Sequence, residues 1–160
     1  MSESASEMAM VWNARALRPL VATGDKGDSA SRLKLEWLAT VLSTERPAVL
    51  GLLEVGGGKE GFRALRKWAR GLQYSCGVSF SDGGAGDDGA NAVVVMVAKE
   101  RGKMLSSCAV AERALGARVR GKDGVVDSFV FVHGLHTAQF SGQIEAAHGW
   151  LARMGGGLMC

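Results

Sequence analysis

Cysteine, proline and long apolar runs are scarce in this sequence, and each shortage excludes a class of protein. The 160 residues include three cysteines, odd in number and without a Cys-x-x-Cys pair. This pattern argues against a structural zinc site or a disulfide scaffold, and it fits a reducing intracellular compartment, nuclear or cytoplasmic. No apolar run approaches the roughly 20 residues of a membrane-spanning helix, so we expect no membrane partner.

The composition that remains is typical of one globular domain. Hydrophobic residues make up 47% of the chain, which suffices for a core. The Ser/Glu-rich segment 1–7 lacks the apolar centre of a signal peptide, so we expect a disordered N-terminus at 1–7 and one domain at 8–160. The net charge of +3 is compatible with a polyanionic partner such as nucleic acid but does not establish one.

The hydrophobic pattern predicts an α/β chain. The predicted strands cover 8–12, 48–54, 73–80, 91–97, 104–110, 115–120 and 125–133, and the predicted helices cover 29–44, 60–72 and 141–154. In the first helix Leu33, Trp37 and Val41 recur four apart, with Leu38 and Leu42 beside them, and together they predict an apolar stripe. Gly121-Lys-Asp-Gly124 predicts a tight hairpin turn before the last strand.

Glu54 is the first candidate for a functional residue. Pro47 precedes an apolar run that ends in this carboxylate, and three glycines follow within four residues. Open α/β sheets build their sites at the carboxyl ends of such strands. The alternative is a solvated residue at a strand end. Asn13, at the end of the first predicted strand, is either a turn residue or a neutral oxygen donor in a site.

Other polar features are weaker candidates. The Gly-rich loop 81–89 carries Asp82, Asp87 and Asp88, which can bind a cation, but its spacing fits neither an EF-hand nor a P-loop. His148 lies at the edge of a helical stripe, where packing or solvation is the commoner role. One face of the second predicted helix is basic, and a charge run of this kind is usually a solvated face. Its residues are Arg63, Arg66, Lys67 and Arg70.

The order of the elements and three short motifs resemble the endonuclease/exonuclease/phosphatase family. Val11-Trp12-Asn13 resembles the opening strand of that family, with its Trp-Asn. Segment 46–54 resembles its Pro-Asp-(apolar)-Gln-Glu strand, and segment 89–95 is similar to its Gly-Gly-Val-Ala-Ile strand. The match runs over nearly the whole chain but over only the first half of the family domain. The basic, Trp-bearing version of the pattern in this chain is similar to the endonuclease domains of non-LTR retrotransposons.

This resemblance implies a fold, a cofactor and a reaction. The implied fold is a four-layer α/β sandwich, with two mixed sheets face to face and helices outside. Glu54 would be the ligand of Mg²⁺ or Mn²⁺, and Asn13 would lie beside the metal and the scissile phosphate. A hard cation prefers carboxylate oxygen and neutralises charge on a phosphoryl transition state. The implied reaction is metal-dependent cleavage of a phosphodiester in nucleic acid.

Three departures from the family pattern bear on activity. Leu53 precedes Glu54 where the family has Gln, and His133 matches the family's Tyr in its Tyr-x-Pro strand end. A histidine can donate a hydrogen bond to a phosphate, but it is shorter than a phenol. The later Gly-Asp-Phe-Asn and Ser-Asp-His segments, which carry the general base and an Asp–His pair, have no counterpart before Cys160. We therefore expect an incomplete domain, truncated in its C-terminal half and inactive alone.

An incomplete sandwich also exposes sheet edges, which predicts self-association. Two alternatives stay open. One is a non-catalytic nucleic-acid-binding remnant that uses the basic helix face. The other is an unrelated α/β domain in which Asn13 and Glu54 are only structural, and it is excluded if the two side chains meet at the carboxyl ends of adjacent strands.

Overall fold

Seven strands and three helices make up the described part of the chain. The computed structural model describes residues 9–18, 29–79, 92–134 and 137–154. In chain order the elements are β1 (Ala9–Leu17), α1 (Ser29–Thr44), β2 (Val49–Val55), α2 (Gly58–Gly71), β3 (Tyr74–Ser79), β4 (Ala92–Ala98), β5 (Gly102–Ala111), β6 (Ala114–Gly121), β7 (Val126–Val132) and α3 (Thr137–Arg153).

The strands form two sheets of different topology. The first sheet has the order β1-β2-β4-β3, with β1 and β2 parallel and the other pairs antiparallel. The second sheet is the antiparallel meander β5-β6-β7. The predicted turn at 121–124 connects β6 and β7, where the Gly121 N–H donates to the Val125 carbonyl at 2.8 Å. Gly124 has a φ of +85°, a conformation that favours glycine.

The two sheets pack face to face through an apolar core. One face of β2 and β4 meets the inner faces of β6 and β7, and Val93, Val95, Leu115 and Phe131 lie in this cluster. The approach is closest at Gly51 of β2, where an added Cβ would overlap the Phe131 ring. A glycine at this position therefore lets the sheets come together.

A second core lies between the first sheet and helices α1 and α2. Leu38 of α1 and Leu65 of α2 pack with Leu50, Leu52 and Met96 of the sheet. Helix α3 covers the outer face of the second sheet, where the Trp150 ring lies against Gly116. The layers are thus helices, sheet, sheet and helix, and the predicted four-layer α/β sandwich architecture is confirmed.

The buried face of α1 agrees with the prediction at Leu38 and Leu42 and differs from it at Leu33 and Trp37. The bounds of the helix agree, but Leu33 is 64% exposed and Trp37 is 50% exposed. The buried residues of α1 are Ser31, Leu35, Leu38 and Leu42. The helix carries two apolar stripes, and the packing against the sheet uses the one that includes Leu38.

The structure describes the polar residues predicted on the helices but not those predicted in the N-terminal segment and the Gly-rich loop. All four basic residues of the α2 face are exposed, as expected for a solvated face. His148 is exposed on α3. Segment 1–7 and the loop with Asp82, Asp87 and Asp88 lie outside the described residues. None of the helices in the described ranges has the length and apolar character needed to cross a bilayer.

Candidate functional site

The side chains of Asn13, Glu54 and His133 meet at one end of the sandwich. The Asn13 Nδ2 atom donates a hydrogen bond to Glu54 Oε1 at 2.8 Å. The His133 Nε2 atom lies 3.1 Å from the same oxygen. All three predicted site residues are therefore brought together, from strands β1 and β2 of one sheet and from the residue after β7 of the other.

Sheet topology explains why these residues converge. Strands β1 and β2 are parallel and adjacent, with Asn13 in register with Leu53, so their carboxyl ends lie at the same edge. On β7, Phe129 and Phe131 are buried against the first sheet. His133 continues that alternation by two residues and therefore points toward the same sheet.

A backbone irregularity in β2 turns Glu54 toward the space between the sheets. Leu50 and Leu52 face the helices, so regular alternation would send Glu54 to the helix side as well. Instead the register with β4 shifts between Leu52 and Val55, and Glu54 has a φ of +58°. This β-bulge redirects the carboxylate to the face on which Asn13 and His133 lie.

A matching irregularity in β1 holds Asn13. The register of β1 with β2 shifts between Asn13 and Leu17, and Arg15 within this stretch has a φ of +44°. The Arg15 N–H donates to Asn13 Oδ1 at 2.9 Å. Lys34 of α1 closes the turn, because its Nζ donates to the Arg15 carbonyl at 2.5 Å. With Oδ1 occupied, Asn13 presents its amide N–H to Glu54.

The hydrogen bonds around His133 define which ring nitrogen carries the hydrogen. Nε2 faces a carboxylate oxygen, so it is the donor in this pair. Nδ1 is buried, and no partner for it lies in the described part of the chain. A hydrogen on Nδ1 in place of Nε2 would be buried without an acceptor, so we assign the hydrogen to Nε2.

Both backbone groups of His133 are also held. Its N–H donates to the Arg113 carbonyl at 2.9 Å, and its carbonyl accepts from Gln143 Nε2 at 3.2 Å. Gln143 is a buried polar residue on α3, and its Nε2 atom also donates to the Glu112 carbonyl at 2.6 Å. Sequence reasoning missed Gln143. The sequence pattern that could have identified Gln143 is its spacing, which places a polar residue on the same helical face as the apolar Ala147 and Trp150.

The arrangement leaves one carboxylate oxygen available. Oε1 of Glu54 accepts from both Asn13 and His133, and no group of the described chain hydrogen-bonds to Oε2. A carboxylate with one free oxygen suits a hard divalent cation that keeps several waters. No third His, Cys, Asp or Glu joins Glu54 and His133 within the described ranges, so the donor set is sparse.

Known structures share this architecture. The human Nocturnin catalytic domain, solved with a bound sulfate anion, superposes with a TM-score of 0.61 at 17% identity, over 90% of this chain and 57% of that one. TDP2 from Caenorhabditis elegans superposes with a TM-score of 0.57 at 13% identity, over 91% of this chain and 43% of that one. The fold is of the endonuclease/exonuclease/phosphatase type.

The likeness to endonuclease/exonuclease/phosphatase structures is one of fold. No family model and no curated protein matches the sequence. The chain spans about half the length of the solved structures it resembles, 57% of Nocturnin and 43% of TDP2. The alternative of an unrelated α/β fold is wrong, because the architecture is that of the Nocturnin catalytic domain and TDP2. Asn13 and Glu54 are hydrogen-bonded at the ends of adjacent parallel strands.

Proposed function

We propose that this chain is part of a divalent-cation-dependent phosphodiesterase domain that acts on nucleic acid. The observation that supports this most directly is the meeting of Asn13, Glu54 and His133 on one carboxylate oxygen. The fold shared with the Nocturnin catalytic domain and TDP2 supports the same reaction class. A sulfate bound to Nocturnin is a tetrahedral oxyanion of the same shape as phosphate.

In this proposal each site residue has a separate role. Glu54 binds Mg²⁺ or Mn²⁺ through Oε2, while Asn13 and His133 hold its other oxygen and fix its orientation. The cation supplies charge neutralisation at a phosphoryl group. Asn13 lies beside this position, and the second hydrogen of its Nδ2 atom can donate to a phosphate oxygen, whereas the N–H of His133 is used by Glu54.

We propose further that residues 8–160 form one domain and that this domain is inactive by itself. Hydrolysis needs a general base near the attacking water, and within the described ranges no further His, Cys, Asp or Glu joins Glu54 and His133. Glu54 is assigned to the cation and His133 already donates its N–H to Glu54.

The similarity to non-LTR retrotransposon endonucleases supports DNA as the nucleic acid. We also propose self-association through exposed sheet edges.

Cation binding and strand cleavage test this function separately. We expect Mn²⁺ binding, measured by electron paramagnetic resonance and by competition with Mg²⁺, to weaken about tenfold or more in Glu54→Gln, since a ligand oxygen is lost. Glu60→Gln is the matched control, because Glu60 is an exposed carboxylate in the first turn of α2. We expect neither the wild type nor Glu54→Gln to nick supercoiled plasmid with Mg²⁺ or Mn²⁺.

The contrary outcomes each identify a different error. Equal Mn²⁺ affinity in the wild type and Glu54→Gln would remove Glu54 as the ligand. Nicking that is lost in Glu54→Ala would establish a competent nuclease and overturn the proposed inactivity. DNA binding that falls steeply with salt, without cation binding or cleavage, would favour a nucleic-acid-binding remnant that uses the exposed basic face of α2.

A further inference from the structure

Four basic side chains surround a depression at the end of the sandwich opposite Glu54. The depression has a volume of about 180 Å³, and the cations that line it are Lys99, Lys103, Arg120 and Lys122. We call these four residues the basic cluster, and all four are exposed. They come from the turn after β4, from β5, from β6 and from the β6–β7 hairpin, so the fold assembles the cluster from separate segments.

The strand register places the basic cluster far from the candidate site. Val49 at the start of β2 pairs with Val97 near the end of β4, so the turn after β4 lies at the opposite end of β2 from Glu54. In the second sheet, β6 extends for 8 residues from the level of His133 to Gly121, which spans roughly 25 Å at the rise of a strand. The cluster is therefore a separate surface of the molecule.

Two of these cations lie directly opposite each other. Lys103 of β5 pairs with Arg120 of β6 in the antiparallel register, and residues opposed in this way share a face of the sheet with Cβ atoms roughly 4.5–5.5 Å apart. Like charges at that position destabilise the free sheet. Protection of an edge strand accounts for Lys103 alone, since β6 is a central strand. An anion between the two side chains removes the repulsion and accepts hydrogen bonds from both.

The basic cluster forms no ion pair with any residue in the described ranges. Glu100, which follows Lys99 in the chain, is paired with Arg46. Asp123 is turned into the hairpin, where its Oδ1 accepts from the Val125 N–H at 3.0 Å. Segment 99–122 contains seven lysines and arginines and two acidic residues, so it is more positive than the whole chain, whose net charge is +3.

Glycines leave the space between the cations open. Gly102 and Gly121 line the depression and are paired across β5 and β6. A Cβ at Gly102 would lie 2.7 Å from the Arg120 carbonyl oxygen, so this position excludes a side chain. A ligand can therefore approach the backbone closely between the basic side chains.

We propose that the basic cluster binds the phosphate backbone of a nucleic acid, as a second surface remote from the candidate site. Lys103 and Arg120 hold one phosphate between them, and Lys99 and Lys122 on the flanking turns contact neighbouring phosphates. Backbone contacts carry no base sequence information, so the binding is independent of sequence and falls with salt. The preference for an anion rests on the cluster alone, whereas the choice of nucleic acid among polyanions rests on the proposed function.

Binding of a labelled duplex oligonucleotide to the full chain tests the basic cluster. Fluorescence anisotropy in the presence of EDTA measures this binding without any contribution from a cation at Glu54. With three phosphate contacts, the slope of log K against log salt should be about −2 to −3 for the wild type. We expect Lys103→Gln combined with Arg120→Gln to weaken binding about tenfold at low salt and to reduce that slope by about 1, whatever the sequence of the oligonucleotide.

A comparison variant removes the same charge from the other basic surface of the chain. Arg63→Gln combined with Lys67→Gln changes two exposed cations on the solvated face of α2. We expect it to weaken binding less than about twofold, because only the screened net charge changes. Without oligonucleotide, Lys103→Gln combined with Arg120→Gln should unfold at an equal or higher urea concentration than the wild type, because a like-charge pair is removed. Its loss of binding is then not a loss of folding.

Three results would overturn the assignment of the basic cluster to nucleic acid. Unchanged binding in the Lys103, Arg120 double variant would exclude the cluster. Equal weakening in the two double variants would show that net charge alone attracts the oligonucleotide. Polyglutamate bound as tightly as the oligonucleotide would make an acidic polypeptide the occupant, including an acidic segment of the same domain. Absence of Mn²⁺ binding at Glu54 would instead contradict the proposed function, since the oligonucleotide is bound here without a divalent cation.

Discussion

At the scale of single residues, the site depends on a glutamate held where glycine is normally found. Glu54 has a φ of +58°, and an L-residue in this region carries a cost of roughly 1–2 kcal/mol. The same conformation aims its carboxylate at Asn13 and His133. Backbone strain of this kind persists where the surrounding structure holds it, as the paired strands β1 and β4 do here.

Two substitutions of Glu54 separate the effect of backbone strain on stability from the effect of losing the carboxylate. Glu54→Gly and Glu54→Ala both remove the carboxylate and should lose cation binding equally. Glycine tolerates the positive φ, so Glu54→Gly should be about 1 kcal/mol more stable to urea than Glu54→Ala. The two variants are each other's control, and an alanine variant as stable as the glycine variant would show that position 54 is unstrained.

The sequence predicts the identity of the site residues better than their geometry. Asn13 and Glu54 follow from apolar runs that end in polar residues, and His133 follows from the family resemblance. The bulges at Glu54 and Arg15 leave no such pattern, because their cause is the register between strands far apart in sequence. The hydrogen bonds of Gln143 to the β5–β6 connection and to His133 are equally non-local.

At the scale of the elements, helix α1 shows where hydrophobic periodicity is insufficient. Its bounds agree with the predicted 29–44, because Pro47 and the apolar spacing are local signals. Its two apolar stripes lie on different faces, and only docking against β1 and β2 decides that Leu38 is buried and Leu33 exposed. Strand β4 was predictable throughout, since a run of β-branched residues is typical of a strand buried on both faces.

The packing of strand β2 on strand β7 gives a prediction at this scale. Gly51→Ala places a methyl group against the Phe131 ring, so we expect a loss of about 1–3 kcal/mol in the free energy of unfolding. Gly71→Ala is the control, because a Cβ there meets no atom within 4 Å and the residue ends α2. Its stability should be unchanged or higher by up to about 1 kcal/mol in urea titrations.

Either of two results would contradict this account. An unchanged stability for Gly51→Ala would mean that the sheets separate without cost at this point. A similar loss in Gly71→Ala would show that the effect comes from any glycine replacement and not from the approach of the sheets. The combination Gly51→Ala with Phe131→Leu should recover part of the loss, since the smaller side chain makes room.

At the scale of the whole molecule, buried ionisable groups set the response to alkali. Burial raises the pKa of the Cys76 thiol from 9.0 to about 12, although Arg66 and Arg70 lower it. Burial, with Glu100, raises the pKa of Tyr74 from 10.0 to about 12, and its hydroxyl donates to the Pro47 carbonyl. Both groups are therefore neutral in the fold at a pH where they ionise in the unfolded chain.

The free energy of unfolding should fall as the pH rises from 9 toward 12. Above pH 9.0 the unfolded thiol loses a proton that the folded one keeps, so the contribution present below that pH is lost. Each such group steepens the slope by up to about 1.4 kcal/mol per pH unit. Urea titrations at a series of pH values should show a shallower slope for Cys76→Ala, while Cys108→Ser, at an exposed position, should match the wild type.

The candidate site joins the two halves of the sandwich, because Asn13 and Glu54 belong to one sheet and His133 follows the last strand of the other. An unfolded chain does not hold these groups together, so an ion bound by Glu54 is bound by the folded state alone. By mass action its binding free energy adds to the stability of the fold and grows with ion activity. If Glu54 binds a divalent cation as proposed, the stability of the molecule should rise with the divalent ion content of its medium, and a chelator should act on it as a mild denaturant.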